Sequence, residues 1–430
     1  MKINLSMIVK NEERSVRRCL LAAADFVDAF VVVDTGSTDK TVEIIEQTGK
    51  ELGKPTHIGH FQWIDDFAAA RNYALELSEQ YGAEYHLMLD ADEYLLSDKY
   101  PETVPKTQNT HADRQVLENF IIRMNEKYHG EWIGCVGIFN LHQDKSNASI
   151  SQSLEYAQRF FRAGIRYAGA IHEQPDTEWQ LVAGPVFSEH DGYLQRDKSG
   201  RNLPYLEKAV QEHPEDAYLH YQLAGTYGII GENDRAKHEY EAFYRPVQQY
   251  FQIQKQKAAQ DKTEEQNDIE DTQNRSKATL NSKKNVEDVT PIPEYYLTGT
   301  LRYLQFLYRL DTVESLETAK KIADQAEASG AYAEDPDFYY FLGMFYMKYV
   351  LKDTEKNISF LRRIPESYQK CLRIGESHRA RGEVGTGSFQ ALYNLGLWYE
   401  LNGQTKLARE CYEQAAGYHY QPAEERLRIL

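Results

Sequence analysis

Three acids close a short apolar run in the stretch Tyr85–Tyr94, YHLMLDADEY: Asp90, Asp92 and Glu93. Leu87–Leu89 has the length and composition of a buried strand, and strand ends in α/β sheets are where ligands sit. Two carboxylates separated by one residue can share a hard divalent cation, or split their duties between a cation and a ribose. The same acids could instead cap the next helix or form a solvated turn, so the upstream chain has to decide.

The elements that would position them are readable in order. Ile3–Val9 is a β-rich apolar run. Asn11–Ala24 reads as a helix, with Val16, Cys19, Leu20 and Ala23 on one face. Ala29–Val33 is a second strand that ends in Asp34-Thr35-Gly36-Ser37-Thr38-Asp39. Ser37 or Thr38 can cap the following helix, whose apolar face takes in Val42, Ile45 and Leu52. Thr56–Ile58 is a short third strand, and Asp65–Tyr81 is an alanine-rich helix that leads into the Leu87–Leu89 strand. Alternating strands and helices mean a parallel sheet with crossover helices. Asn11, Asp34 and Asp90 then fall at the carboxyl ends of strands.

These groups suit a nucleotide. Asp34 could accept from a base N–H or a ribose hydroxyl, or could form an Asx-turn before Gly36. Arg71 could pair with a phosphate, orient an acid, or pair with a surface carboxylate. Neither GxGxxG nor GxxxxGK[ST] occurs, so neither a dinucleotide fold nor a P-loop is supported.

Taken in order, SMIVKNEERSVRRCL, VVVDTGSTDKTVEI, FQWIDDFAAARNYAL and LMLDADEYL resemble family 2 glycosyltransferases of the GT-A fold, over roughly Met1–Leu96. The resemblance implies a nucleotide-sugar donor, Mg²⁺ or Mn²⁺ at the DxD, and inverting displacement at the anomeric carbon. On the matching positions, Val9, Asn11 and Glu12 would line the donor pocket and Asp34 would contact the base or ribose. Asp66 and Arg71 would support the pocket, Asp90 and Ala91 would face the ribose or metal, and Asp92 would bind the metal. Further on, the stretches around Ile171-His172-Glu173 and His190-Asp191-Gly192-Tyr193 resemble the IHE and HxGY segments of a subgroup. That subgroup includes the peptide S-glycosyltransferases of glycosylated bacteriocins, the glycocins. An inverting transfer needs a base near the acceptor atom; Glu173 is the expected base, His172 the alternative, and His190 an additional metal ligand. As structural side chains, Glu173 could pair with Arg162 or Arg166 and each histidine could be a satisfied packing residue. A cysteine acceptor would ask little of the base, since a thiol of pKa ~8.5 is already partly ionised near neutrality.

Between these segments, Lys99–Asn109 reads as a polar loop, and Trp132–Leu141 and Glu155–Phe161 as strands. Beyond about Arg201 helical patterns take over. Leu223, Ala224, Tyr227, Gly231, Ala236 and Tyr240 share a frame with Leu395, Gly396, Tyr399, Gly403, Ala408 and Tyr412, the frame of tetratricopeptide helix pairs. A third copy starts at Leu342, Gly343 and Tyr346 and is stretched before Tyr368 and Cys371; Pro293–Ser329 is a degenerate fourth. Gln248–Val289 reads as an exposed helical extension that frays into a polar, charged insert.

The expected architecture is a GT-A α/β domain at 1–200, then an all-α helical-repeat domain at 201–430 with its insert at about 248–289. The net charge of −17 argues against nucleic acid or an anionic membrane as a partner. A mean hydropathy of −0.65, with no long apolar run, argues against a membrane span. The N-terminus meets acids too early for a secretory signal, and four cysteines without a CxxC pair suit a reducing cytoplasm. The function expected is transfer from UDP-glucose or a related UDP-hexose to a cysteine or serine of a ribosomal bacteriocin precursor, docked partly on the repeats. The repeats could instead form a homodimer. The alternatives are transfer to a cell-surface glycan and a non-catalytic repeat scaffold carrying a decayed transferase domain.

Overall fold

The computed structural model describes residues 1–97, 112–143, 150–170, 173–192, 202–274, 293–376 and 381–430. The expected loop at Lys99–Asn109 and the residues His172 and Tyr193 lie outside them. The chain forms two compact units: residues 1–197 with 378–384, and residues 198–377 with 385–430.

The first unit starts from four parallel strands, β1 (Ile3–Val9), β2 (Ala29–Asp34), β3 (Thr56–His60) and β4 (Tyr85–Met88), arranged β3-β2-β1-β4. Helices α1 (Val16–Ala23), α2 (Thr41–Leu52) and α3 (Phe67–Gln80) make the crossovers. α1 begins later than the periodicity suggests. Asn11 takes a left-handed φ of 57°, and Ser15 N–H turns back to the Glu12 carbonyl before the helix starts. Neither Ser37 nor Thr38 caps α2. The Asp39 carboxylate accepts from Thr41 N–H instead, while Ser37 and Thr38 turn to Asn11. Leu52 is 36% exposed, so the buried face of α2 centres on Ile45.

Past β4 the sheet becomes mixed and curls. The four-residue loop Leu89–Asp92 leads to β5 (Glu93–Leu95). Helix α4 (Arg114–Tyr128) then precedes β6 (Trp132–Gln143) and β7 (Ile150–Arg162). β8 (Tyr167–Ala168) and β9 (Gln174–Pro175) form a small separate ladder, and β10 (Gln180–His190) follows. The sheet continues β4-β7-β6-β10-β5, so the acidic loop spans from the middle of the sheet to its far edge. A three-residue strand, β11 (Arg381–Glu383), pairs with Ser153–Glu155 of β7. It is too short to carry a readable period, which is why a single cut at 200/201 leaves it out. One face of the sheet packs Leu5, Met7, Leu87 and Trp132 against Leu20 and Phe120; the other packs Met88, Ile133 and Phe161 against Leu75 of α3.

Among its described residues the second unit is helical apart from its turns. Ala217–Ile230 and Asn233–Asn274 are one pair, Glu294–Leu310 and Val313–Ala328 the next, Pro336–Lys352 and Arg363–Ile374 a third, and Phe389–Leu401 and Thr405–Ala416 a fourth. Gly231 and Gly403 end their helices at φ 85° and 70°, a conformation a Cβ would penalise. A Cβ on Gly396 would sit 2.6 Å from the Tyr412 ring, and one on Gly343 2.5 Å from the Tyr368 ring. The small residue of each pair is thus the seat for the aromatic of its partner helix. The insert expected from Gln248 onward begins as regular helix. Val247 and Phe251 are fully buried, and the helix runs on to Asn274.

Candidate active site

The acidic loop is built from its neighbours. Cα of Leu87 in β4 stands beside Phe160 of β7. One residue earlier on β7 the ladder slips: Gly134 of β6 pairs with Phe160, but Cys135 pairs with Gln158, leaving Arg159 as an extra residue. A bulge of this kind re-aims a side chain. Arg159 Nη2 donates to Asp90 Oδ2 at 2.7 Å and to Glu93 Oε1 at 2.5 Å. Arg71 of α3 donates from Nη2 to Asp90 Oδ1 at 3.0 Å and from Nε to Glu173 Oε1 at 2.5 Å. Glu93 closes the chain by accepting from Asp90 N–H at 3.1 Å. The result is an alternating ladder, Glu173–Arg71–Asp90–Arg159–Glu93, drawn from α3, the β4–β5 loop, β5, β7 and the segment before β9.

Burial and charge act against each other along it. Burial disfavours the Asp90 carboxylate, but Arg159 and Arg71 outweigh that and hold its pKa well below the usual range. Burial raises the Glu93 carboxyl above its ordinary value against the pull of Arg159. Burial also opposes the charge on Arg71 and Arg159, yet their acidic partners raise both.

Asp92 lies on the other side of the loop. Its Oδ2 is 3.5 Å from His190 Nε2, and both side chains are largely buried. Burial alone would lower the His190 pKa, but the Asp92 hydrogen bond and the charges of Asp92, Glu93 and Asp90 raise it. Glu189 and Asp191 on either side of His190 are held by Arg18 of α1, whose guanidinium lies 3.8 Å over the Tyr94 ring. A Cβ on Gly192 would come 2.4 Å from Asp92 Oδ2 and 2.5 Å from His190 Nε2. The glycine therefore leaves a small space bordered by one carboxylate oxygen and one imidazole nitrogen. Among the described residues no group of three or more His, Cys, Asp and Glu is disposed to hold a metal ion. Two protein donors fit a divalent cation whose other positions go to phosphate and water, as Mg²⁺ and Mn²⁺ sites in nucleotide enzymes are filled.

The remaining candidates sit at the carboxyl ends of β1 to β3. Asp34 is buried and accepts from Gly36 and Ser37 N–H, the Asx-turn weighed against a nucleotide contact. His60 Nδ1 lies 3.7 Å from its Oδ2. The Val9 carbonyl accepts from Thr35, Asn11 Oδ1 accepts from Thr38 N–H, and Glu12 N–H donates to Thr41. Asp66 caps α3 by accepting from Ala69 N–H at 2.9 Å. Ala91, within the acidic loop, is buried. Glu173 pairs with Arg71, not with Arg162 or Arg166; Arg166 is engaged by Glu79. Sequence reasoning missed Arg159 and Asn140, which lie outside the quoted motifs, and Arg18, which lies inside the first of them but was given no role. No local pattern marks a bulge, so only the sheet reveals Arg159.

Residues 5–150 match the family described as Glycosyl transferase family 2. The chain is 29% identical over 239 residues to a TPR repeat-containing protein of Synechococcus elongatus, covering 54% of this chain and 53% of that one. It is 26% identical over 226 residues to the SPbeta prophage-derived glycosyltransferase SunS of Bacillus subtilis, covering 50% and 46%. The chain thus spans about half the length of these curated relatives. Among solved structures it is similar to MamA 41-end from Desulfovibrio magneticus RS-1, with a TM-score of 0.32, 15% identity, and 53% of this chain and 89% of that one covered. The first unit contains the residues that match this family and has a GT-A-like mixed sheet with flanking helices, and the second is built of helix pairs.

Proposed function

From a first unit that carries a family 2 glycosyltransferase domain, we propose that the protein is a metal-dependent, inverting glycosyltransferase. It takes a hexose from UDP-glucose or a related UDP-hexose and places it on a cysteine, or a serine, of a ribosomal bacteriocin precursor. The observation that carries this reading is the convergence of Asp92, His190 and the Glu173–Arg71–Asp90 ladder at the carboxyl end of β4.

The ladder holds Asp90, Glu93 and Glu173 against two arginines, and Asp92 adds a further carboxylate. Such a cleft repels a diphosphate. Asp92 and His190 would hold the divalent cation, which neutralises the departing diphosphate without proton transfer. Asp90, fixed by two arginines, keeps a set orientation toward the ribose. Val9, Asn11, Glu12 and Asp34 form the loop cluster beside the base, and Asp66 starts the helix that delivers Arg71. Glu173 takes the acceptor proton. Arg71 fixes it at Oε1, and a thiol acceptor asks little of the base.

The repeat unit docks the precursor, because stacked helix pairs present a curved face to an extended or helical peptide. Four buried thiols suit a reducing cytoplasm. Among the described residues no helix is long and apolar enough to cross a membrane. The test is Glu173→Gln: transfer should be lost while UDP still raises the melting temperature. Full transfer by the variant would move the base elsewhere, and the absence of any UDP stabilisation in the unaltered protein would favour a scaffold.

A further inference from the structure

One row of side chains crosses three strands beside the acidic loop. Glu93 of β5 stands opposite His190 of β10, and His190 stands opposite Asn140 of β6. Asn140 is 7% exposed, and its Oδ1 lies 2.8 Å from His190 Nδ1. A carbonyl oxygen can only accept, so the ring donates from Nδ1 and turns Nε2 toward Asp92, 3.5 Å away. Beside that pair is Gly192, itself buried. Its φ is not in the left-handed region, so the backbone does not require a glycine there. What a side chain would do is occupy the space, since its Cβ would lie 2.4 Å from Asp92 Oδ2 and 2.5 Å from His190 Nε2.

We propose that Asn140 is a positioning residue for a divalent-cation site, aiming His190 Nε2 at Asp92, and that Gly192 keeps the space between them open. The inference rests on the metal-dependent reading above and adds to it residues that act on the ligands. A ligand histidine whose second nitrogen is held by a fixed acceptor keeps one tautomer and one ring orientation. Loss of such a partner typically weakens metal affinity by about 10- to 100-fold.

The experiment is a calorimetric titration of Mn²⁺ into the full-length protein saturated with UDP, with thermal melts of each variant. Asn140→Leu should weaken Mn²⁺ binding by about 10- to 100-fold, and Asn140→Asp, which keeps an acceptor, should restore it to within about threefold. Gly192→Ala should also lose Mn²⁺ affinity while UDP alone still binds. It serves as the second variant if Asn140→Leu does not fold. A hydrogen bond that only stabilises the fold would lower the Asn140→Leu melting temperature and leave Mn²⁺ affinity unchanged. That result, with Asp92→Ala having lost the metal, overturns the role of Asn140 and leaves the metal-dependent reading in place. If the unaltered protein takes up no Mn²⁺ with UDP present, both fall together.

Discussion

The two units bury polar atoms in opposite ways. In the first, an alternating chain of carboxylates and guanidiniums runs from Glu173 to Glu93, and Glu93 and Arg71 are nearly inaccessible. In the second, the buried polar atoms belong largely to tyrosines whose rings pack on one another. Tyr240 stacks on Tyr303 at 5.0 Å and Tyr332 on Phe338 at 4.3 Å. Burying charge costs desolvation that a well-packed apolar cluster does not incur, so ion pairs are a weak source of stability. Tyrosines bring large apolar area and directional ring contacts. The contrast separates a unit whose interior is arranged around charge from one whose interior is arranged around packing.

The largest effect should come from Asp92→Ala. It should lower turnover about a thousandfold and remove the response to added Mn²⁺, because several kcal/mol of charge stabilisation are lost. Activity near normal with the metal chelated would break the metal assignment. Arg159→Met should come next. It strands Glu93 and leaves Asp90 with Arg71 alone, and should destabilise the first unit by about 3 kcal/mol in denaturant melts followed by fluorescence. A stability change below about 0.5 kcal/mol would mean the ladder is not held together by that residue. In the packing-built unit, Gly396→Val should force the Tyr412 ring out of its seat and cost about 2 kcal/mol, while UDP-hexose hydrolysis by the first unit continues. Lost hydrolysis would show that the division of labour between the units is wrong.

The smallest expected effect sharpens the comparison from the other side. His220 in the repeat unit has Nδ1 on Glu239 and Nε2 on the Pro214 carbonyl, two acceptors that only an imidazolium satisfies together. The Glu239 hydrogen bond raises its pKa against the effect of burial. A raised histidine stabilises the fold fully below its ordinary range, and that contribution is lost as pH climbs through the raised value. The helical unit should therefore melt lower at pH 8.5 than at pH 6, by a difference on the order of 1 kcal/mol or less. His220→Gln should flatten the dependence, which thermal melts at both pH values would read.

The parallel strands, the loops at their ends and the repeat frame were legible in the sequence, because each rests on local periodicity or on a fixed spacing between small and aromatic residues. Asp92 and His190, 98 positions apart by their numbers, were connected only through family resemblance. What could not be read is what the curled sheet decides. Arg159 reaches the acids because a register slip turns it inward, and Asn140 meets His190 because β6 and β10 lie in parallel register. β11 joins the first unit from more than 180 residues beyond β10. Such pairings are set by tertiary geometry and leave no local trace. Asp66, expected to support the nucleotide pocket, also makes a helix cap, which an Asp before an apolar helical run could have signalled.

The central claim is transfer of a hexose to a peptide thiol. Its most direct test is intact-mass spectrometry of reduced candidate precursor peptides incubated with the protein, Mn²⁺ and a panel of UDP-sugars. The account predicts a hexose-sized mass gain that disappears when the acceptor cysteine is alkylated beforehand. A gain that survives alkylation would contradict the thiol assignment and point to a hydroxyl. Donor hydrolysis without any peptide gaining mass would contradict the peptide acceptor itself.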